Sequence, residues 1–219
     1  MKISSPVLLD LDGTLTDSGP GIMRAAAHAL RAFGITETDP ARLRRFVGPP
    51  LKESFRQFYG MDEADAIRGV EKYREYYADR GIFECTVYPG MPDLLARLRQ
   101  QGRILSLATS KPEFYARRIL DHFGLAGYFD FVGGSLPDES RSEKSEVIGW
   151  AMAHLPGADP ARAVMVGDRW YDVAGAHAVG VRCVGVLFGY GGREELARAG
   201  AEYLAADVPA LRALFETDL

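Results

Sequence analysis

Only two cysteines, Cys85 and Cys183, occur in the 219 residues, and they form no C-x-x-C. Two thiols so far apart cannot staple a domain of this size, so a reduced, cytoplasmic setting is expected, with each thiol an ordinary small core residue. Positive charge is not in excess either. Lys+Arg 26 against Asp+Glu 30 gives −4, which argues against general attraction to nucleic acid or an anionic membrane. No apolar run has the length of a membrane span. The start, "MKISSPVLLD", passes straight into an apolar stretch containing Asp10, unlike a secretory leader. There is no P-loop, and no G-x-G-x-x-G opens a first βα turn. The four histidines, His28, His122, His154 and His177, show no ligand spacing. No repeat, heptad or exposed stripe speaks for a partner, so a monomer is the default.

What is present suits a soluble globular chain. At 47% hydrophobic and 26% charged residues, it can bury one large core, or a core plus a smaller insertion. Short apolar runs at 7–11, 104–108, 130–133, 163–167 and 181–187 alternate with helical patterns. That alternation predicts an α/β fold, a Rossmann-like parallel sheet with helices on both faces. Between about residues 19 and 89 the rhythm breaks into helical pieces with glycine at several ends, and no convincing strand is found. The expectation is a small all-helical cap domain, 18–87, inserted after the first strand into a core formed by 1–17 and 88–219.

The stretch "VLLDLDGTLTD" has two readings. Asp12-Gly13 between alternating residues is a hairpin turn signal, whereas a strand ending in carboxylates is where an open α/β sheet places chemistry. Three further strand ends or helix starts carry polar groups: Thr109-Ser110-Lys111, Lys144, and Gly167-Asp168 with Asp172. Each has a plain structural reading. Ser110-x-x-Glu113 with Pro112 is a capping box. Lys144 suits a solvated helix start, although a cation there opposes the dipole. Asp168 and Asp172, four apart, suit a cap and an exposed face. Taken together the four sites match what phosphate monoester hydrolysis requires. One carboxylate attacks, a second handles the leaving-group proton, and carboxylates hold a hard cation such as Mg²⁺. A lysine and a small hydroxyl clamp the phosphate oxygens.

The sequence resembles the haloacid dehalogenase superfamily, in its phosphoglycolate phosphatase-like branch. It carries D-x-D-G-T-L at 10–15, a hydroxyl at Thr109, a lysine at Lys144 and G-D-R-x-x-D at 167–172. The resemblance implies a Mg²⁺-dependent phosphatase that hydrolyses small-molecule phosphomonoesters through an aspartyl phosphate. It makes Asp10 the nucleophile and Asp12 the general acid/base. Asp10, the main-chain carbonyl of Asp12, and Asp168 would hold Mg²⁺. Thr109, with Ser110, and Lys144 would bind phosphate, Asp172 would orient Lys144 or support the metal shell, and Gly13 would permit a sharp turn beside the phosphate. "RSEKSEVI", "TSKP" and Arg169 depart from the branch and look closer to 5′-nucleotidase-like or broad sugar- and nucleotide-phosphate phosphatases. In the cap, Arg45 and Lys52 flank the stiff Gly48-Pro49-Pro50 and could reach a second anionic group of the substrate, or simply form a solvated face. The stretch 188–196 reads as a glycine-rich loop beside the site. A dehalogenase would need neither Asp12 nor Asp168, whereas a phosphosugar mutase would need the same residues. A non-catalytic binding protein would usually have lost one of them.

Overall fold

The computed structural model describes residues 5–136 and 141–217. The chain separates into two compact units, residues 1–16 with 87–219, and residues 17–86. In the first unit six strands form one sheet: β1 (Val7–Leu9), β4 (Leu105–Pro112), β5 (Phe131–Ser135), β6 (Val164–Gly167), β7 (Arg182–Val186) and β8 (Tyr203–Ala205). Their order is β5-β4-β1-β6-β7-β8, and every pairing is parallel. β1 and β6 are unbroken apolar runs with every residue buried, as a sheet covered on both sides demands. Helices α5 (Met91–Gln100), α6 (Glu113–His122), α7 (Lys144–Ala153), α8 (Trp170–Ala178), α9 (Arg193–Ala199) and α10 (Val208–Thr217) flank the sheet. Leu8, Met165 and Cys183 of the strands share one core cluster with Val147, Ile148, Val173 and Ala176 of α7 and α8.

The α/β architecture is the one the alternating runs predict. From β1 the chain moves outward to β4 and β5, then returns to β6 on the other side of β1. The strand order therefore reverses at β1, and a crevice at the carboxyl ends of β1 and β6 is where such sheets bind ligands.

Several boundaries differ from the sequence reading. β1 stops at Leu9, although the Asp10 amide still donates to Val166 O at 2.9 Å. β4 does not end at Ala108 but runs on to Pro112, with a register shift against β5 between those residues. This overrides the capping box: α6 begins at Glu113 with Pro112 as its N-cap and no side-chain cap bond. Strand β8 had no signal in "AEYLAAD", an alanine-rich stretch that is extended because β7 offers it a partner. A two-residue strand, β3 (Thr86–Val87), also lies within the interval read as strand-free; it pairs with β2 (Thr16–Asp17).

The second unit holds α1 (Gly19–Arg31), α2 (Pro40–Arg44), α3 (Leu51–Tyr59) and α4 (Glu63–Tyr77). Its interior centres on Phe46 and Phe55, whose rings meet edge-to-face at 5.0 Å. Gly48-Pro49-Pro50 stays outside any helix, with Pro50 as the N-cap of α3.

Candidate active site

At the carboxyl edge of the sheet, the first unit gathers polar groups from four stretches of chain. Asp10 follows β1 directly and is 4% exposed. Beyond it the chain does turn. The Gly13 amide donates to Thr16 O at 2.7 Å, and Gly13 adopts a φ of 84°. A Cβ there would also stand inside the 3.0 Å that real Cβ atoms respect, against the Asp168 carboxylate. Glycine answers both constraints. The strand-end reading thus holds and the hairpin does not: β1 pairs with β4 and β6 in parallel, and Asp12-Gly13 makes only a tight turn beyond its end.

Lys144, the first residue of α7, does not point to solvent. It is 4% exposed. Its Nζ lies 2.8 Å from Asp10 Oδ1 and 2.7 Å from Asp172 Oδ1, and donates to Ala108 O at 3.0 Å. The ammonium thus has one hydrogen bond, to a backbone carbonyl, and two close carboxylate oxygens as ion-pair partners. Asp168, just after β6, is fully buried, and its Oδ2 accepts from the Tyr190 amide at 2.6 Å. Asp172, also fully buried, accepts the Arg169 amide at 3.0 Å through Oδ2, leaving Oδ1 to face Lys144. Thr109 is buried in β4, its Oγ1 accepting from the Lys111 amide at 3.3 Å, while Ser110 is half-buried.

The electrostatics show a shortage of positive charge. Burial pushes the Asp10 carboxyl up to about 6 against the pull of Lys144, and the Asp172 and Asp12 charges push the same way. Burial, then the charges of Asp172 and Asp10, raise Asp168 well above the carboxylate range. Burial alone would lower Lys144; Asp10 and Asp172 overrule it and hold the ammonium above its ordinary range. Lys144 therefore serves two of the three buried carboxylates, Asp10 and Asp172, while Asp168 has only the weaker pull of Arg169.

Asp10, Asp168 and Asp172 each offer an oxygen within 4.8 Å of the others, so the cluster can hold a metal ion. Asp168 Oδ1 has no hydrogen-bond partner among the described residues. An orphaned buried carboxylate oxygen in an all-oxygen, negatively charged set fits a hard divalent cation.

Lys111, read only as part of the polar stretch 109–111, has a partner that the sequence does not reveal. Lys111 Nζ lies 2.8 Å from Asp12 Oδ2, with only 7% and 15% of the two side chains exposed. A strand continuing to Pro112 puts residues two apart on one face, so Thr109 and Lys111 belong together. A strand ending at Ala108 hides that pairing; one running to Pro112 reveals it. Arg45 and Lys52 belong to the second unit. The Arg45 guanidinium sits 3.8 Å from the Phe58 ring centroid, and Lys52 Nζ lies 3.1 Å from Glu63 Oε1.

The haloacid dehalogenase-like hydrolase family model matches residues 7–186. The chain belongs to that family, as a phosphatase. It is 42% identical over 214 residues to the 5′-nucleotidase of Pseudomonas aeruginosa, covering 96% of this chain and 95% of that protein. It is 43% identical over 185 residues to the tyrosine-protein kinase PtkA of Mycobacterium tuberculosis, covering 84% of this chain and 62% of PtkA. Among solved structures, a predicted phosphatase from Clostridium acetobutylicum aligns with a TM-score of 0.93 at 43% identity, over 98% of this chain and 99% of that one. Proteins named phosphoglycolate phosphatase match at 30–32% identity.

Proposed function

We propose that this phosphatase hydrolyses small phosphomonoesters with Mg²⁺ as cofactor, Asp10 being the nucleophile and nucleoside 5′-monophosphates the first substrate class to try. The observation that carries the reading is the cluster of three buried carboxylates, two of them paired with Lys144, with Asp10 directly after the central strand. Bound at Asp10, Asp168 and the Asp12 carbonyl, the cation would neutralise the phosphate and reduce its repulsion from Asp10. Asp10 attacks phosphorus and becomes an aspartyl phosphate while the alkoxide leaves. Asp12, held at 2.8 Å by Lys111, protonates that alkoxide and then takes a proton from the water that releases phosphate. Lys144, with Thr109 and Ser110, binds the phosphoryl oxygens, and Asp172 keeps Lys144 aimed at them. Gly13 lets the backbone pass close to the phosphate. Arg45 and Lys52 are the proposed contacts to the rest of the substrate, each needing to leave its present partner to act.

Support for nucleotides over phosphoglycolate comes from the higher identity to the 5′-nucleotidase, 42% against 30–32%. The PtkA similarity favours a second reading, transfer of the phosphoryl group from Asp10 to an acceptor other than water. A panel of nucleoside monophosphates, phosphoglycolate, sugar phosphates and phosphotyrosine, assayed for phosphate release with Mg²⁺, tests both. The expected result is release that stops on chelation and returns on adding Mg²⁺. Turnover that survives full chelation would refute the metal-assisted scheme, and phosphoryl loss from a donor without free phosphate would favour the second reading.

A further inference from the structure

The loop after β7, "FGYGG", contributes no carboxylate to the cluster, yet it is packed against it. The Tyr190 amide donates to Asp168 Oδ2 at 2.6 Å. On either side of that amide the backbone comes too close for any side chain. A Cβ on Gly189 would fall inside 3.0 Å of the Gly13 carbonyl and of Asp168 Cβ and Oδ2, and one on Gly191 would strike the Asp168 carbonyl. Neither glycine has a left-handed φ, so what they supply is space. The loop is in turn fixed from outside. The Leu187 amide donates to Ala205 O at 2.9 Å, and the Phe188 ring meets Tyr88 edge-to-face at 4.9 Å. Glu195 of α9 accepts from Arg169 Nε at 2.8 Å and from the Trp170 amide at 3.0 Å, tying the far side of the loop to the residues that follow Asp168. Asp168 is thus held between the Gly13 turn and the loop, one carboxylate oxygen bonded and the other without a hydrogen-bond partner among the described residues.

We propose that the 189–191 segment is a positioning element of the metal site. It fixes the rotamer of Asp168, so that cation affinity depends on a loop that supplies no ligand. The proposal rests on the reading of Asp168 as a metal ligand. Groups that orient a ligand from behind are typically worth about 10- to 100-fold in metal affinity.

Isothermal titration of the full-length protein with Mg²⁺ alone, and with Mn²⁺ alone, tests it without turnover. Gly189→Ala is expected to raise the dissociation constant about 10- to 100-fold, while its melt in chelator stays cooperative. Activity should then recover toward the parent kcat at high Mg²⁺, a metal-dependent split that general loss of structure does not produce. Gly192→Ala is the control: nothing lies within 4 Å of a Cβ there, and its affinity should match the parent. Asp168→Asn separates the two levels of the argument. If it leaves Mg²⁺ binding unchanged, the ligand reading itself fails. If it removes binding while Gly189→Ala binds as the parent does, the loop proposal is overturned and the ligand reading stands. Should Gly189→Ala melt without cooperativity, Tyr190→Pro, which removes the amide donor and puts a ring Cδ in its place against Asp168 Oδ2, is titrated instead. Parent-like affinity in that variant likewise overturns the proposal.

Discussion

Asp10→Asn is expected to remove turnover by a factor on the order of 10⁴ or more, the scale on which losing a nucleophile is felt, and to make the metal-free protein more stable at neutral pH. The two effects have one cause. Burial raises the Asp10 carboxyl from 3.8 to about 6. A carboxyl raised in the folded state favours folding below the unfolded value, and that contribution is lost as pH climbs through the folded value. The ionised Asp10 of the metal-free parent therefore costs stability above pH 6, on the order of 3 kcal/mol from a shift of this size. Asparagine keeps the shape and still offers Lys144 an acceptor, but it carries no charge. Thermal melts in chelator at pH 5 and pH 8 check this: the variant should gain several degrees over the parent at pH 8 and much less at pH 5. Equal midpoints at pH 8 would remove the claim that the site stores electrostatic strain.

Lys144→Met should do the opposite. The ammonium is 2.8 Å from Asp10 and 2.7 Å from Asp172, with side-chain exposures of 3%, 6% and 0%. Deleting one member of such a buried set leaves the others uncompensated, typically about 3–5 kcal/mol. The sign again fixes the pH window. The pKa of Lys144 is raised, so its contribution persists through neutral pH and would fade only above the ordinary lysine range. In the variant the penalty follows the carboxylates: large at pH 8, and smaller at pH 5 where Asp10 is protonated. Adding Asp10→Asn to Lys144→Met should restore part of the loss at pH 8. A Lys144→Met protein that melts with the parent at pH 8 would show the lysine to be electrostatically idle.

The site was legible to the extent that its chemistry lies in short motifs. Asp10 and Asp12 flank one leucine, and Asp168 and Asp172 lie four residues apart, so composition and spacing pointed to them before any topology was known. Lys144 could be read only in combination, because a lysine at a helix start looks solvent-facing until β4 supplies the Ala108 carbonyl beneath it. What escaped depended on long-range pairing. Lys111 reaches Asp12 because β4 continues past Ala108, a consequence of β5 lying alongside. The glycines at 189 and 191 read as loop punctuation because the crowding that requires them comes from Asp168 and Gly13, far away in sequence. Strand β8 was invisible for the same reason. Fold class rests on repeated local pattern and was visible; single edges and contacts rest on partners and were not.

The central strand has a consequence for how the enzyme fails. β1 is hydrogen-bonded on both sides, to β4 and to β6, and the first backbone amide beyond it is still tied to Val166. Its amides should be among the last to exchange with solvent, since nothing short of rupturing the sheet opens them. Asp10, the proposed nucleophile, inherits that protection, so heat should not loosen its backbone on its own while the rest of the core unit survives.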